Sequence, residues 1–263
     1  DYAMTLAKRY DSHIYLVHVL TPNVYASAPA EAALPMHGAL RQVAEQRMAD
    51  ILISGRLREV PHEVILEEGL LWPTIERLIA KYEINLIVVG THGARRLEKV
   101  FLGSGAEEIL RHAICPVMTV GPRFSEAPMG FTEWKNILLA ADLQRSSENA
   151  ASYALALAQE FQAHIMLLHV IEQPLRRADL ELPEKREAVL QRLSELVPEG
   201  TTPWCEPEFL VEFGSPAEEI IKTVKGRGAD LVVMGTYSGT TDNLRIALHV
   251  FDLRSMKLSG EIA

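Results

Sequence analysis

Cysteine is scarce in this chain of 263 residues, which has only Cys115 and Cys205 and no C-x-x-C spacing. Neither a disulfide framework nor a thiolate metal site is indicated. No H-E-x-x-H or similar His and carboxylate spacing is present, so no metal site is predicted. We expect a reducing, cytoplasmic setting, in which Cys115, directly before Pro116, is buried and unreactive.

Long apolar runs and an excess of positive charge are also lacking. Apolar segments such as residues 86–89 are far shorter than the roughly 18 residues that a membrane helix needs. The chain has 26 basic and 35 acidic residues and a formal net charge of −9. It therefore lacks the basic surface that binds phosphodiester backbones. We predict no nucleic-acid partner and no membrane segment.

Three common enzyme motifs are missing from the sequence. There is no G-x-x-x-x-G-K-[ST], no G-x-G-x-x-G after a strand and no G-x-S-x-G. These absences disfavour a P-loop ATPase, a dinucleotide-dependent dehydrogenase and an α/β-hydrolase. No catalytic residue is predicted.

An internal repeat accounts for the length of the chain. Residues 6–20 (LAKRYDSHIYLVHVL) align with residues 157–171 (LAQEFQAHIMLLHVI). Residues 84–93 (INLIVVGTHG) align with residues 229–238 (ADLVVMGTYS). Two matching pairs in the same order indicate a duplication. A histidine recurs near the end of the same strand in both copies, which favours a structural role for it over a metal site.

The prolines and glycines of residues 121–130 (GPRFSEAPMG) predict a linker, and hence two domains, 1–122 and 131–263. Unbroken runs of Val, Ile and Leu that alternate with helical segments predict an α/β fold with a parallel sheet in each repeat. Ser146 or Ser147 is expected to cap the first helix of repeat two. Repeat one begins inside a helix, without its opening strand, and repeat two shows no counterpart of the strand CPVMTV.

Glycines follow the apolar run LIVV in a spacing that two explanations fit. Gly90 and Gly93 come directly after the run, at the strand end where open α/β sheets bind ligands. Gly103 and Ser104 precede the helical segment AEEILRHA, whose first amides attract anions. Glycine lets backbone amides approach a phosphate closely. The structural alternative is a glycine turn followed by a capping box between Ser104 and Glu107.

The full spacing, G-x-x-G, nine residues, then G-S, resembles the ATP-binding signature of the universal stress protein family. Gly90, Gly93, Gly103 and Ser104 match it without a gap, and the resemblance covers most of the chain as a tandem pair. It implies two tandem open parallel-sheet sandwiches that are Rossmann-like and similar to adenine nucleotide alpha hydrolases. It also implies ATP as the ligand, with Mg²⁺ as counter-ion to the phosphates.

The resemblance assigns further residues to the nucleotide site of repeat one. Val89, before the first glycine, would line the pocket, and Val19, near the end of an earlier strand, would meet adenine. Thr91 and His92 lie inside the glycine loop, where His92 either touches a phosphate or is a solvated side chain. The Asp that contacts the ribose side in the family is matched only in repeat two, by Asp142.

Repeat two departs from the family's pattern, because Ser238 stands where the second glycine should be and no Gly-Ser follows at the right distance. The resemblance therefore places any nucleotide in repeat one. It further implies that the strand CPVMTV pairs antiparallel with its counterpart. On that basis we expect the repeats to pair within one chain, and a homodimer between chains stays open.

Three functions are open from the sequence. The first is a nucleotide-binding stress-response regulator that acts through nucleotide-dependent assembly or partner binding. The second is a slow ATP hydrolase or autophosphorylating protein, in which His92 or Asp142 takes part in the chemistry. The third is a structural pairing module without a nucleotide. The glycine pattern favours the first.

Overall fold

The computed structural model of the protein describes residues 2–22, 29–90, 103–120, 134–172, 182–198, 206–236 and 245–249. Its helices are α1 (Tyr2–Arg9), α2 (Ala30–Ile53), α3 (Leu71–Tyr82), α4 (Ser104–His112), α5 (Arg145–Phe161), α6 (Leu182–Glu195) and α7 (Pro216–Arg227). Its strands are β1 (Ile14–Leu20), β2 (His62–Glu68), β3 (Ile87–Gly90), β4 (Val117–Val120), β5 (Asn136–Ala140), β6 (His164–Ile171), β7 (Glu208–Phe213), β8 (Leu231–Thr236) and β9 (Arg245–His249).

Residue contacts divide the chain into two compact units, residues 1–84 and residues 85–263. The first unit holds α1 to α3 with β1 and β2, and the second holds the remaining elements. The linker predicted at residues 121–130 lies outside the described residues, and the domain boundary there stays a prediction.

The first unit is built on a parallel pair of strands. β1 and β2 pair from Ile14 opposite His62 to Leu20 opposite Glu68. Helix α3 places Leu78 and Ile79 in the interior, and α2 places Ala44 and Met48 there. These buried apolar side chains belong to the core that packs the two helices against the strand pair.

The second unit contains a seven-stranded sheet in the order β3-β4-β9-β8-β5-β6-β7. All neighbouring pairs in it are parallel except β8 with β9. The middle of β5 is fully buried, with Ile137, Leu138 and Leu139 at 0% exposure. The unbroken apolar runs that predict strands buried on both faces thus lie where expected, and the α/β fold with parallel sheets is confirmed.

The carboxyl-terminal part of repeat two contains a strand that the sequence did not reveal. β9 is parallel to β4, with Thr119 opposite His249, and antiparallel to β8, with Met234 opposite Ala247. The sequence analysis did not predict this strand, and the antiparallel pairing expected for CPVMTV is corrected, since β4 pairs with β9 in parallel. β9 has only five residues, RIALH, in which polar and apolar types mix, so it lacks the Val, Ile and Leu run that marks the other strands.

Across the described ranges, none of the helices combines the length and the apolar composition that a membrane span requires.

Candidate functional site

The end of β3 and the start of α4 lie at the same edge of the sheet in the second unit. β3 ends at Gly90, which pairs with Val120 at the end of the parallel strand β4. Helix α4 lies between these two parallel strands in sequence and therefore runs antiparallel to them. It starts at the edge where β3 ends and finishes at the edge where β4 starts. Gly90 and Gly103 are therefore brought to the carboxyl edge, as the sequence predicted.

The first turn of α4 presents backbone N–H groups at this edge. Gly103 is the N-cap, with φ −62° and ψ 146°, and its carbonyl accepts the first helical bond from the amide of Glu107 at 2.9 Å. The amides of the residues between them have no partner within the helix. Together with the positive end of the helix dipole, they favour an anion at this position.

Ser104 is the first residue of α4 and is exposed. The alternative in which Ser104 and Glu107 form a capping box is wrong, because Gly103 occupies the capping position and the Glu107 carboxylate pairs with Arg111 instead. The helix starts one residue earlier than a capping box would require. The Ser104 hydroxyl is thus placed at the first turn of the helix, where an anion would lie.

Of the other predicted site residues, one lies in each unit, and three lie outside the described part of the chain. Val89 lies in β3, partly buried and opposite the buried Thr119 of β4. Val19 lies in β1 of the first unit, partly buried and opposite Glu67. Their contacts with a base stay predictions. Three loop residues lie outside the described part of the chain: Thr91, His92 and Gly93.

The turn after β5 in repeat two holds Asp142, the residue matched to the family's ribose-side Asp. Its Oδ1 accepts hydrogen bonds from the Ser147 hydroxyl at 2.6 Å and from the Gln144 amide at 2.9 Å. Ser147 also accepts a bond from the Leu143 amide at 3.1 Å, and Leu143 adopts a positive φ of 59°. The carboxylate of Asp142 therefore organises this turn.

These contacts correct the predicted cap of α5. The helix begins at Arg145 with Gln144 as its N-cap, and Ser147 lies in the first turn with its hydroxyl directed at Asp142. The sequence could not show this position of Ser147, because it depends on the positive φ of Leu143. Only the fold reveals that conformation.

Two residues from neighbouring elements hold the same turn. Arg192 of α6 donates to the carbonyl of Leu143 at 2.7 Å, and Nδ1 of His169 lies 2.8 Å from the carbonyl of Ala141. The structural role predicted for the recurring histidine is confirmed at His169. Arg192 was missed, because an arginine on an amphipathic helix gives no sequence signal for a distant carbonyl. Among the residues that the structure describes, no cluster of three or more His, Cys, Asp or Glu could hold a metal ion.

Cys115 lies just before β4 and is only 8% exposed. Burial raises the pKa of its thiol to about 11, so it stays protonated at neutral pH. The predicted burial is confirmed, and Cys115 is not a nucleophile of this site.

Comparison with known proteins identifies the family. The universal stress protein family profile matches residues 1–121 and 133–256. A universal stress protein of Methanocaldococcus jannaschii is 28% identical over 120 residues, which are 45% of this chain and 71% of that protein. A putative universal stress protein of Staphylococcus aureus is 31% identical over 134 residues, 49% of this chain and 77% of that protein.

A solved structure of a universal stress protein has a similar fold. The crystal structure of a universal stress protein from Archaeoglobus fulgidus superposes with a TM-score of 0.64 and 17% sequence identity, covering 95% of this chain and 91% of that one. The likeness extends through both repeats. The chain therefore belongs to the universal stress protein family.

Proposed function

We propose that this protein is a cytoplasmic stress-response regulator that binds ATP in repeat one and changes its assembly or its partners with the bound nucleotide. The observation that carries the proposal is the carboxyl edge of β3 and β4. There Gly90 ends a strand and an exposed Ser104 begins a helix whose first amides lack partners within that helix. Family membership supports the same ligand.

The donors at this edge fit the phosphates of a nucleotide. Backbone N–H groups and the Ser104 hydroxyl donate hydrogen bonds, and an anionic phosphate oxygen accepts them. The nearest acidic side chain of the first turn, Glu107, is paired with Arg111. In this proposal Mg²⁺ offsets the charge of the phosphates, and Gly90, Gly103 and Ser104 hold them.

The rest of the proposed site follows the family's pattern. By that pattern Val89 would line the pocket, and the assignments of Val19 to adenine and of Thr91, His92 and Gly93 to the phosphates stay predictions. We assign the nucleotide to repeat one, since repeat two has Ser238 in place of the second glycine.

We propose regulation by binding in preference to fast turnover. Of the two residues considered for chemistry, Asp142 has its Oδ1 engaged by the hydroxyl of Ser147 and the amide of Gln144. These contacts give the Asp142 carboxylate a structural role in its turn, and they offer no support for a general base at this position.

Calorimetric titration with Mg-ATP tests the proposal. Gly103 has an extended backbone that any residue adopts, so Gly103→Val adds a side chain beside the first-turn amides without backbone strain. We expect micromolar binding by the unaltered protein and at least a tenfold loss in the variant. Gly226→Val is the matched control, because Gly226 lies in α7 with nothing within 4 Å of an added Cβ, and it should bind normally.

Ser104→Ala refines the same test. Removing one hydrogen bond to a charged group costs about 1.5–3 kcal/mol, which corresponds to roughly a tenfold to hundredfold loss of affinity. Since Gly103, and not Ser104, occupies the capping position, the stability of α4 should change little. Unchanged affinity in both site variants would refute the phosphate assignment.

A further inference from the structure

Among the strands of repeat two that the structure describes, β9 alone ends at the sheet edge where the nucleotide is proposed to bind. β9 is parallel to β4, and β4 is parallel to β3, so all three strands end at the same edge. β9 is antiparallel to β8, and β8 runs parallel to β5, β6 and β7. The carboxyl ends of these four strands, and the Asp142 turn after β5, therefore lie at the opposite edge.

β4 supports both walls of the proposed phosphate site. On one side it pairs with β3, up to Val120 opposite Gly90. At its start it is joined to the end of α4 by a short connection that includes the buried residues Ala113 and Cys115. The strand that ends at Gly90 and the helix that begins at Ser104 are thus both attached to β4.

β4 in turn depends on β9 for its second ladder. Residues 117–119 of β4 pair in register with residues 247–249 of β9, and this pairing is called the β4–β9 junction below. The three residues of β4 are each 1% exposed, so the strand lies in the interior. Without β9, the backbone groups on that side of β4 would lose their partners, which is costly for a buried strand.

β9 is held to β8 over a longer stretch than to β4. Its ladder with β8 runs from Val232 opposite His249 to Thr236 opposite Arg245. Only residues 237–244 connect these two strands, whereas more than a hundred residues separate β4 from β9 in sequence, so the junction closes a far longer loop. The β4–β9 junction can therefore open while β9 stays paired with β8.

We propose that the β4–β9 junction regulates the nucleotide site of repeat one, and that a bound nucleotide in turn stabilises the junction. The inference rests on the proposed function, because it takes Gly90 and the first turn of α4 to hold the phosphates. A nucleotide that bridges these two elements fixes β4, to which both are attached, and a fixed β4 keeps its ladder with β9. Loss of the nucleotide loosens the junction, and through it the bound nucleotide changes how the repeats assemble.

The coupling is reciprocal by thermodynamic necessity. The factor by which the closed junction raises the affinity for nucleotide equals the factor by which the nucleotide favours the closed junction. We expect about tenfold in each direction, which lies in the usual range for coupled sites. Two independent measurements should therefore give similar factors.

The first measurement is hydrogen exchange on the full chain with and without saturating Mg-ATP. The amides of residues 247–249 should exchange about tenfold more slowly with the nucleotide bound, because their exchange reports how often the junction opens. Residues 165–168 of β6, which are 0–1% exposed and lie away from the junction in the same sheet, are the internal reference and should not change.

The second measurement is the affinity for Mg-ATP of a variant with an open junction. Leu248 lies opposite Met118 of β4, in the middle of the junction. Leu248→Pro removes an N–H group from a strand that is paired on both sides, where proline is not tolerated. Leu248→Val is the matched control, because valine keeps the amide and suits a strand. We expect the proline variant to bind Mg-ATP about tenfold more weakly and the valine variant to bind normally.

Protected amides in β6 show that the proline variant keeps the fold of repeat two. Equal affinity of the proline and valine variants, or unchanged exchange of residues 247–249 with ATP bound, would overturn the coupling and leave the proposed function intact. Absence of ATP binding by the unaltered protein would overturn both.

Discussion

At the scale of single residues, glycine is required where the backbone enters conformations that side chains disfavour. Gly69 has a φ of 153°, and a Cβ placed there would lie 2.8 Å from Oγ1 of the buried Thr74. Both the backbone conformation and the contact exclude a larger residue. Gly38, in the exposed part of α2, has nothing within 4 Å of an added Cβ.

Gly69→Ala should therefore destabilise the protein by about 1–3 kcal/mol, the usual cost of a strained backbone position. Gly38→Ala is the matched control and should stabilise by about 1 kcal/mol, because alanine is the better helix former. Urea unfolding followed by circular dichroism measures both. Equal effects of the two substitutions would contradict the conformation described for Gly69.

Only some of the single-residue roles could be predicted from the sequence. Gly90, Gly103 and Ser104 were predicted from their spacing as phosphate-binding residues, which stays a prediction, and the structure brings their elements to one sheet edge. The role of Ser147 could not be identified, since it depends on the positive φ of Leu143. The sequence pattern of a capping box placed the N-cap at Ser104, one residue too late, because the extended Gly103 is the N-cap of α4.

At the scale of elements, α2 is held to the end of β2 by a small group of charged side chains. Glu68 accepts hydrogen bonds from His37 and from Arg41, each at 2.9 Å. The hydrogen bond from His37, with help from Arg41, holds the pKa of the Glu68 carboxyl below its usual range. A carboxyl whose pKa is lower in the folded state stabilises the fold above its ordinary pKa, and the contribution disappears as the pH falls.

Glu68→Gln should therefore make unfolding less sensitive to acid. We expect the urea midpoint of the unaltered protein to fall more steeply than that of the variant as the pH drops below about 4.3, the ordinary value for glutamate. Glu31→Gln, on an exposed position of the same helix, is the control and should follow the unaltered protein. Parallel curves for Glu68→Gln and the unaltered protein would show that the contact does not anchor α2.

Elements were predictable from sequence where their pattern was strong. Unbroken runs such as ILLA in β5 and LVVM in β8 predict buried strands, and the structure places both in the middle of the sheet. β9 escaped prediction because a five-residue strand of mixed polarity gives no periodic signal. Its pairing with β4 and β8 depends on tertiary contacts, which the local sequence does not indicate.

At the scale of the whole molecule, duplication explains both the likeness and the difference of the repeats. The matching segments and the recurring histidine indicate that both repeats derive from one duplicated unit. The repeats then diverged in chemistry, since repeat one keeps the full glycine spacing and repeat two keeps Asp142 in a hydrogen-bonded turn. The proposed function therefore predicts one nucleotide per chain.

The most direct test of this account is an amide chemical-shift titration of the ¹⁵N-labelled protein with Mg-ATP. The account predicts large, saturable shifts for Gly90, Gly103 and Ser104 in repeat one. It predicts no comparable shift for Gly235, which ends the equivalent apolar run in repeat two. Shifts centred on Gly235, or none at any of these residues under saturating ATP, would contradict the proposal that repeat one holds the nucleotide.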